Sequence, residues 1–114
     1  MIYILSATLC LLISSCAEPK VPQVPPTQSQ LNAITSELDS WGEGRWNNWK
    51  VSYLNNDETI LVRIAVDPSA NEIAMNTYIK KVKEIIKKHA RKYDAIIRLL
   101  KYGDIKKTDY VFGK

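Results

Sequence analysis

The sequence predicts a small α+β fold, a two-layer sandwich in which an antiparallel β-hairpin packs against one long amphipathic helix. Residues 51–66 alternate between apolar and polar side chains around a central turn, and residues 72–93 repeat apolar side chains at helical spacing. The chain has 114 residues, of which 46% are apolar and 25% are charged. This length and composition suit one globular domain, which we expect over residues 30–114 with the element order α-β-β-α-β and an additional last strand.

The domain is predicted to begin with a short helix over about residues 30–41. One face of this helix is apolar, and it consists of Leu31, Ile34, Leu38 and Trp41. Gly42 and Gly44 follow directly and are typical of a helix end.

A β-hairpin is predicted next. Val51 and Tyr53 lie on one face of its first strand, and residues 55–57 (Asn-Asn-Asp) supply turn chemistry. Its second strand alternates two sets of side chains, with Leu61, Arg63 and Ala65 between Ile60, Val62, Ile64 and Val66. Asp67-Pro68 closes the hairpin.

The long helix has the clearest pattern in the chain. Ser69 and Glu72 have the spacing of a capping box at its start. Its apolar arc contains Met75, Tyr78, Ile79, Val82, Ile85, Ile86, His89 and Tyr93, and the opposite arc contains Lys80, Lys81, Lys83, Glu84, Lys87, Lys88, Arg91 and Lys92. We interpret His89 as a histidine at the edge of the core with one ring nitrogen satisfied.

Residues 95–102 are ambiguous, because their apolar side chains could also continue the helical stripe. A hairpin by itself is a marginal sheet and needs a further strand or a helix to cover it. We therefore predict that residues 95–102 form a strand that pairs with the hairpin, followed after Gly103-Asp104 by a short strand over about residues 108–112.

The N-terminal segment has a different character. Residues 2–13 form an uncharged apolar run that is too short to span a bilayer as a helix. Ile13-Ser14-Ser15-Cys16 resembles the lipobox of bacterial lipoproteins, although no Lys or Arg precedes the apolar run as in most such signals. The resemblance implies that residues 1–15 are a signal peptide and that Cys16 is lipidated after cleavage. The alternative is a buried element in which Cys10 and Cys16 are core cysteines.

Residues 16–29 would then be the lipidated N-terminus and a proline-rich tether. Lipoproteins that are retained in the inner membrane carry an aspartate directly after the lipidated cysteine, and this chain has Ala17 there. The resemblance therefore implies a protein of the outer membrane that faces the periplasm, if the source has two membranes. After cleavage, Cys10 would be lost with the signal peptide and the thiol of Cys16 would carry the lipid, so no disulfide within the chain would be available.

Charge is distributed unevenly along the chain. Residues 80–107 carry a net charge of +8, whereas residues 17–79 carry −4. Such a division favours contact with an anionic partner, for which anionic lipid head groups, an acidic protein and nucleic acid are candidates. A lysine-rich outer face is equally typical of any solvated helix. The candidate binding residues on this surface are Lys80, Lys83, Lys87, Lys88, Arg91 and Lys92.

The stretch WGEGRWNNW supplies a second candidate surface. Its aromatic rings could stack on a glycan or a base, or could simply build the core. Trp41 and Trp49 are expected in the core. Trp46, beside Arg45, is the tryptophan predicted to be exposed.

Residue types for catalysis are scarce, with one histidine in the chain and no glycine-rich phosphate loop. We therefore expect no enzyme, no cofactor, no metal and no small-molecule substrate. The sequence is most consistent with a lipid-anchored accessory or binding module for an assembly of the cell envelope. The alternative is a module that binds anions or nucleic acid through the Lys/Arg-rich helix surface, and a steep salt dependence would distinguish it.

Overall fold

The computed structural model describes residues 24–113, and these residues confirm the α+β fold and the order α-β-β-α-β-β. The elements are α1 (Gln28–Gly42), β1 (Trp46–Leu54), β2 (Thr59–Val66), α2 (Glu72–Ala90), β3 (Asp94–Lys101) and β4 (Asp104–Val111). The predicted signal peptide, Cys16 and most of the tether lie outside the described residues. Within the described part of the chain, no helix is long and apolar enough to cross a membrane.

The four strands form one mixed sheet in the order β1-β2-β3-β4. Strands β1 and β2 are antiparallel, β2 and β3 are parallel, and β3 and β4 are antiparallel. Two parallel neighbours require a long connection, and α2 supplies it between β2 and β3. The prediction that residues 95–102 form a strand beside the hairpin is therefore confirmed, with β3 over residues 94–101.

The last strand begins four residues earlier than predicted. Lys101 pairs with Asp104, so Tyr102 and Gly103 alone make the turn, with φ values of 51° and 82°. Positive φ at both central positions is the mark of the type I′ turn, whose twist matches that of a two-residue hairpin. The turn is thus tight enough for β4 to pair over residues 104–111.

The helix starts differ from the prediction at both helices. Helix α1 begins at Gln28 because Thr27 and Gln30 form a complete capping box. Helix α2 begins at Glu72 because the Asn71 side chain accepts a hydrogen bond from Ala74 N at 2.8 Å. The predicted capping box of Ser69 and Glu72 is wrong, since the Ser69 hydroxyl and amide both donate to Asp67 Oδ2 in the turn before the helix.

Both helices pack on one face of the sheet and enclose the core there. The side chains of β2 that face the helices are buried, and they lie between the corresponding side chains of β1 and β3. The apolar arc predicted for α2 is largely confirmed, because Met75, Ile79, Val82, Ile85 and Ile86 are buried in this core. Each such side chain contributes roughly 1.5–3 kcal/mol of transfer free energy.

The end of the predicted tether contacts the domain. The Tyr93 hydroxyl, at the start of β3, donates a hydrogen bond of 2.7 Å to Val24 O. Pro26 is buried, and Thr27 caps α1. Residues 24–27 therefore belong to the folded unit.

Candidate functional site

The predicted basic surface lies on the outer side of α2, but part of its charge is neutralised. Lys83 Nζ is 2.8 Å from Asp109 Oδ2 on β4, and Lys88 Nζ is 3.2 Å from Glu37 Oε2 on α1. The predicted residues Lys80, Lys87, Arg91 and Lys92 are exposed. The surface is thus less basic than the sequence suggests, because the fold places carboxylates beside two of its lysines.

Glu37 joins the two helices through two basic side chains. His89 Nε2 and Lys88 Nζ both contact Glu37 Oε2. The hydrogen bond from His89, followed by that from Lys88, lowers the pKa of Glu37 below its ordinary value of 4.5. The partly buried His89 therefore has one ring nitrogen satisfied, as the sequence analysis expected.

Asp109 on β4 is a second carboxyl group that accepts a hydrogen bond from a lysine of α2. The hydrogen bond from Lys83 is the main cause that lowers the pKa of Asp109, with a further contribution from the backbone amide of Tyr110. Lys107 Nζ on β4 is also paired, at 2.5 Å from Glu72 Oε1 at the start of α2. These pairs attach α2 to the edge of the sheet and act as structural contacts.

The prediction that Trp46 is exposed is wrong. Trp46 is 4% exposed, its indole N–H donates to Leu38 O at 3.1 Å, and its ring lies 5.3 Å from that of Trp41 and 5.5 Å from that of Tyr78. The first residue of β1 points at the end of α1, where Gly42 leaves room for the ring.

Arg45 is also occupied within the domain. Its guanidinium carbon lies 4.3 Å from the centroid of the Trp41 ring, and its Nη1 donates to Trp41 O at 2.6 Å. The stretch WGEGRWNNW therefore builds the junction of α1 with β1. Its two candidate residues, Arg45 and Trp46, are thus both engaged with their own fold.

The structure presents another surface, the sheet face opposite the helices, which no described residue covers. Side chains on this face form rows that run across the strands, because paired residues of neighbouring strands point to the same side. We call this surface the open face. Its three central rows are Asn48, Ala65, Leu100 and Ile105; then Lys50, Arg63, Arg98 and Thr108; then Ser52, Leu61, Ile96 and Tyr110.

The middle row contains three cations on three adjacent strands. Lys50 pairs with Arg63, and Arg63 pairs with Arg98. Lys50 and Arg63 are exposed and Arg98 is partly buried, and among the described residues none of the three forms an ion pair. Like charges directly opposite each other in a sheet are destabilising, so this row, which we call the cation row, is a local cost that a bound anion would remove.

Apolar side chains border the cation row on both sides. Leu100 is only 8% exposed although it lies outside the main core, and Ile105 and Tyr110 at the β4 edge are 53% and 52% exposed. A shallow depression of about 260 Å³ lies beside the cation row, and it is lined by Asn48, Trp49, Lys50, Arg63, Ala65 and Leu100. Positive charge, apolar surface and a concave floor thus coincide on the open face.

The sequence analysis missed the open face as a site. Leu61, Arg63 and Ala65 were recognised only as the second set of side chains on β2. A partial signal was present, since Arg63 and Arg98 lie within predicted strands, whereas Lys50 directly precedes the first predicted strand and joins β1 only in the structure. Their alignment depends on the strand register, and in particular on the parallel pairing of β2 with β3.

The described residues contain no cluster of three His, Cys, Asp or Glu side chains that could hold a metal ion. No protein-family model, no curated protein and no solved structure matches the chain. The open face is therefore interpreted from its own charge and shape.

Proposed function

We propose that this protein is a lipid-anchored lipoprotein of the bacterial cell envelope, whose α+β domain is a non-enzymatic binding module for another component of the envelope. The observation that supports a binding role is the open face, where three cations that form no ion pair with any described residue lie in register between apolar rows. Water solvates the exposed cations but not the apolar area beside them, and a complementary partner can pair the charges and cover the apolar area together.

The proposed anchor rests on the sequence Ile13-Ser14-Ser15-Cys16. Diacylglycerol on the Cys16 thiol and a further acyl chain on its amine would hold the protein stably, because two chains exceed the marginal binding that one chain provides. Residues 17–23 separate Cys16 from Val24, the residue that Tyr93 contacts. Seven residues reach about 22 Å when they are extended as polyproline II, so the anchored domain would work close to the membrane surface, in an outer membrane if there are two.

The test of the anchor is mass spectrometry of the mature N-terminus isolated from the native host. The wild-type protein should begin at a lipidated Cys16, and Cys16→Ala should remain unprocessed. Cys10→Ala is the matched control, since removal of a cysteine inside the signal peptide should leave processing unchanged. An intact, unmodified Met1 in the wild-type protein would refute the proposal for the anchor.

The binding role is tested in the same cells with a photo-crosslinking residue in place of Arg63 on the open face or of Lys80 on α2. The proposal expects discrete crosslinks to an envelope protein from position 63 and few from position 80. Crosslinks confined to position 80 would instead favour the alternative, a module that binds anions or nucleic acid through the surface of α2. The observation that favours this alternative is the exposure of Lys80, Lys87 and Arg91. Binding of nucleic acid through this surface should weaken steeply with salt.

A further inference from the structure

We propose that the partner of the open face is an acidic amphipathic helix of another protein, which lies across the strands with its carboxylates on the cation row. Its apolar side chains would rest on the row formed by Ala65, Leu100 and Ile105. This inference rests on the proposed binding role of the domain and is independent of the lipid anchor.

Charge complementarity is the first reason for an anionic occupant. Lys50, Arg63 and Arg98 have no carboxylate partner among the described residues. Asp94 lies two rows away from Arg98 along β3, and its Oδ1 accepts a hydrogen bond of 2.7 Å from Gly113 N. The charge of the cation row is thus left for a partner.

The spacing of the cations favours a helix. Neighbouring strands lie about 4.7–4.9 Å apart, so the three cations extend over about 10 Å in a line across the sheet. Residues three and four apart on a helix face are about 5–6 Å from each other. A helix that crosses the strands can therefore bring three carboxylates, at positions i, i+3 or i+4, and i+7, to successive cations.

The relief of the face distinguishes a helix from a bilayer. Lys and Arg side chains extend further from the sheet than those of Ala65 and Leu100, so the apolar row is the floor of a trough beside the cations. The depression of about 260 Å³ lies in this trough. A flat membrane surface would meet the cations and leave the floor empty, whereas the apolar stripe of a helix can fill it.

A second copy of the chain does not suit the same face. A two-fold contact through the open face would bring two identical surfaces together. Each surface would carry three cations and no carboxylate in its central rows, so neither copy could neutralise the charge of the other. The occupant we infer is therefore a different, acidic chain.

The test uses a synthetic helical peptide of about 18 residues with a leucine stripe and glutamates at the spacing given above. Fluorescence anisotropy would measure its binding to the full chain in a nonionic detergent. Arg63→Glu with Arg98→Glu should weaken binding about tenfold or more, because two favourable ion pairs become repulsive. Lys80→Glu with Lys87→Glu makes the same change of charge on α2 and should leave the affinity unchanged.

Reversal of the charges provides the sharper result. A peptide with lysines in place of the glutamates should bind the Arg63→Glu, Arg98→Glu variant better than the wild-type chain. Arg63→Gln with Arg98→Gln is the milder pair, for use if the reversed variant loses its circular dichroism spectrum. Loss of binding in the α2 variant, or equal binding to all variants, would refute the assignment of the open face.

Two further probes test the class of partner. Anionic phosphatidylglycerol vesicles and a double-stranded oligonucleotide would be titrated against the same variants. If either binds in a manner that depends on Arg63 and Arg98 while the acidic peptide does not, the helix proposal is wrong and the binding role of the open face stands. If no probe binds and position 63 gives no crosslink in cells, the proposed function fails as well.

Discussion

The substitution Gly42→Ala should destabilise the domain strongly, because Gly42 makes room for the buried ring of Trp46. A Cβ atom at residue 42 would lie 1.8 Å from Trp46 Nε1 and 2.0 Å from its Cε2. Carbon atoms pack comfortably at about 3.5 Å, so the indole would have to move by about 1.7 Å.

The magnitude follows from what that movement breaks. The indole N–H now donates to Leu38 O at 3.1 Å, and a displaced ring would leave it unsatisfied, which costs about 1–3 kcal/mol. Overpacking of the aromatic group adds about 1–3 kcal/mol, whereas alanine in place of glycine in the helix returns about 0.5–1 kcal/mol. We expect the free energy of unfolding to fall by about 3 kcal/mol.

The assay is urea unfolding followed by circular dichroism, with Gly42→Ala measured in the wild-type chain and in Trp46→Phe. Phenylalanine lacks the pyrrole atoms that meet the new Cβ, so Gly42→Ala should cost less than about 1 kcal/mol in that background, a coupling of about 2 kcal/mol. Gly44→Ala is the control, because nothing lies near its Cβ and only its φ of +79° opposes the change. A cost for Gly42→Ala that is the same in both backgrounds would refute this account of Trp46.

Three further predictions concern other contacts. Tyr93→Phe removes the hydrogen bond to Val24 O, so it should lower the free energy of unfolding by about 1 kcal/mol. It should also speed proteolysis near residue 24. Unchanged proteolysis would contradict the docking of residues 24–27. Asn71→Ala removes the N-cap of α2, so it should lower the free energy of unfolding by about 1 kcal/mol in a urea titration. Ser69→Ala should lower it by less. The opposite ranking would identify Ser69 as the cap. Because contacts in the folded state lower the pKa of Glu37, its stabilising contribution is present at neutral pH and is lost as the pH falls through and below about 4.5. Glu37→Gln should therefore reduce the dependence of stability on pH in that range, whereas an unchanged acid profile would show that its ion pairs contribute nothing.

The local patterns of the chain were sufficient to predict its elements. The alternation in residues 59–66 and the helical stripe in residues 75–86 depend on neighbours along the chain, and both lie where the sequence indicated. The start of α2 was misplaced because Ser69 and Asn71 compete as caps, and the choice depends on the turn made with Asp67. The exposure of Trp46 could not be predicted, since it depends on the end of α1 meeting the first residue of β1.

The sequence by itself determined the α+β class, the order of the elements, the amphipathic character of α2 and the proposal for an anchor at Cys16. Only the tertiary structure decided which charges meet. It paired Lys83 and Lys88 with carboxylates from β4 and α1, and it aligned Lys50, Arg63 and Arg98 on the open face. The physical reason is that strand register and helix packing connect residues that are far apart in the chain, which no local pattern specifies.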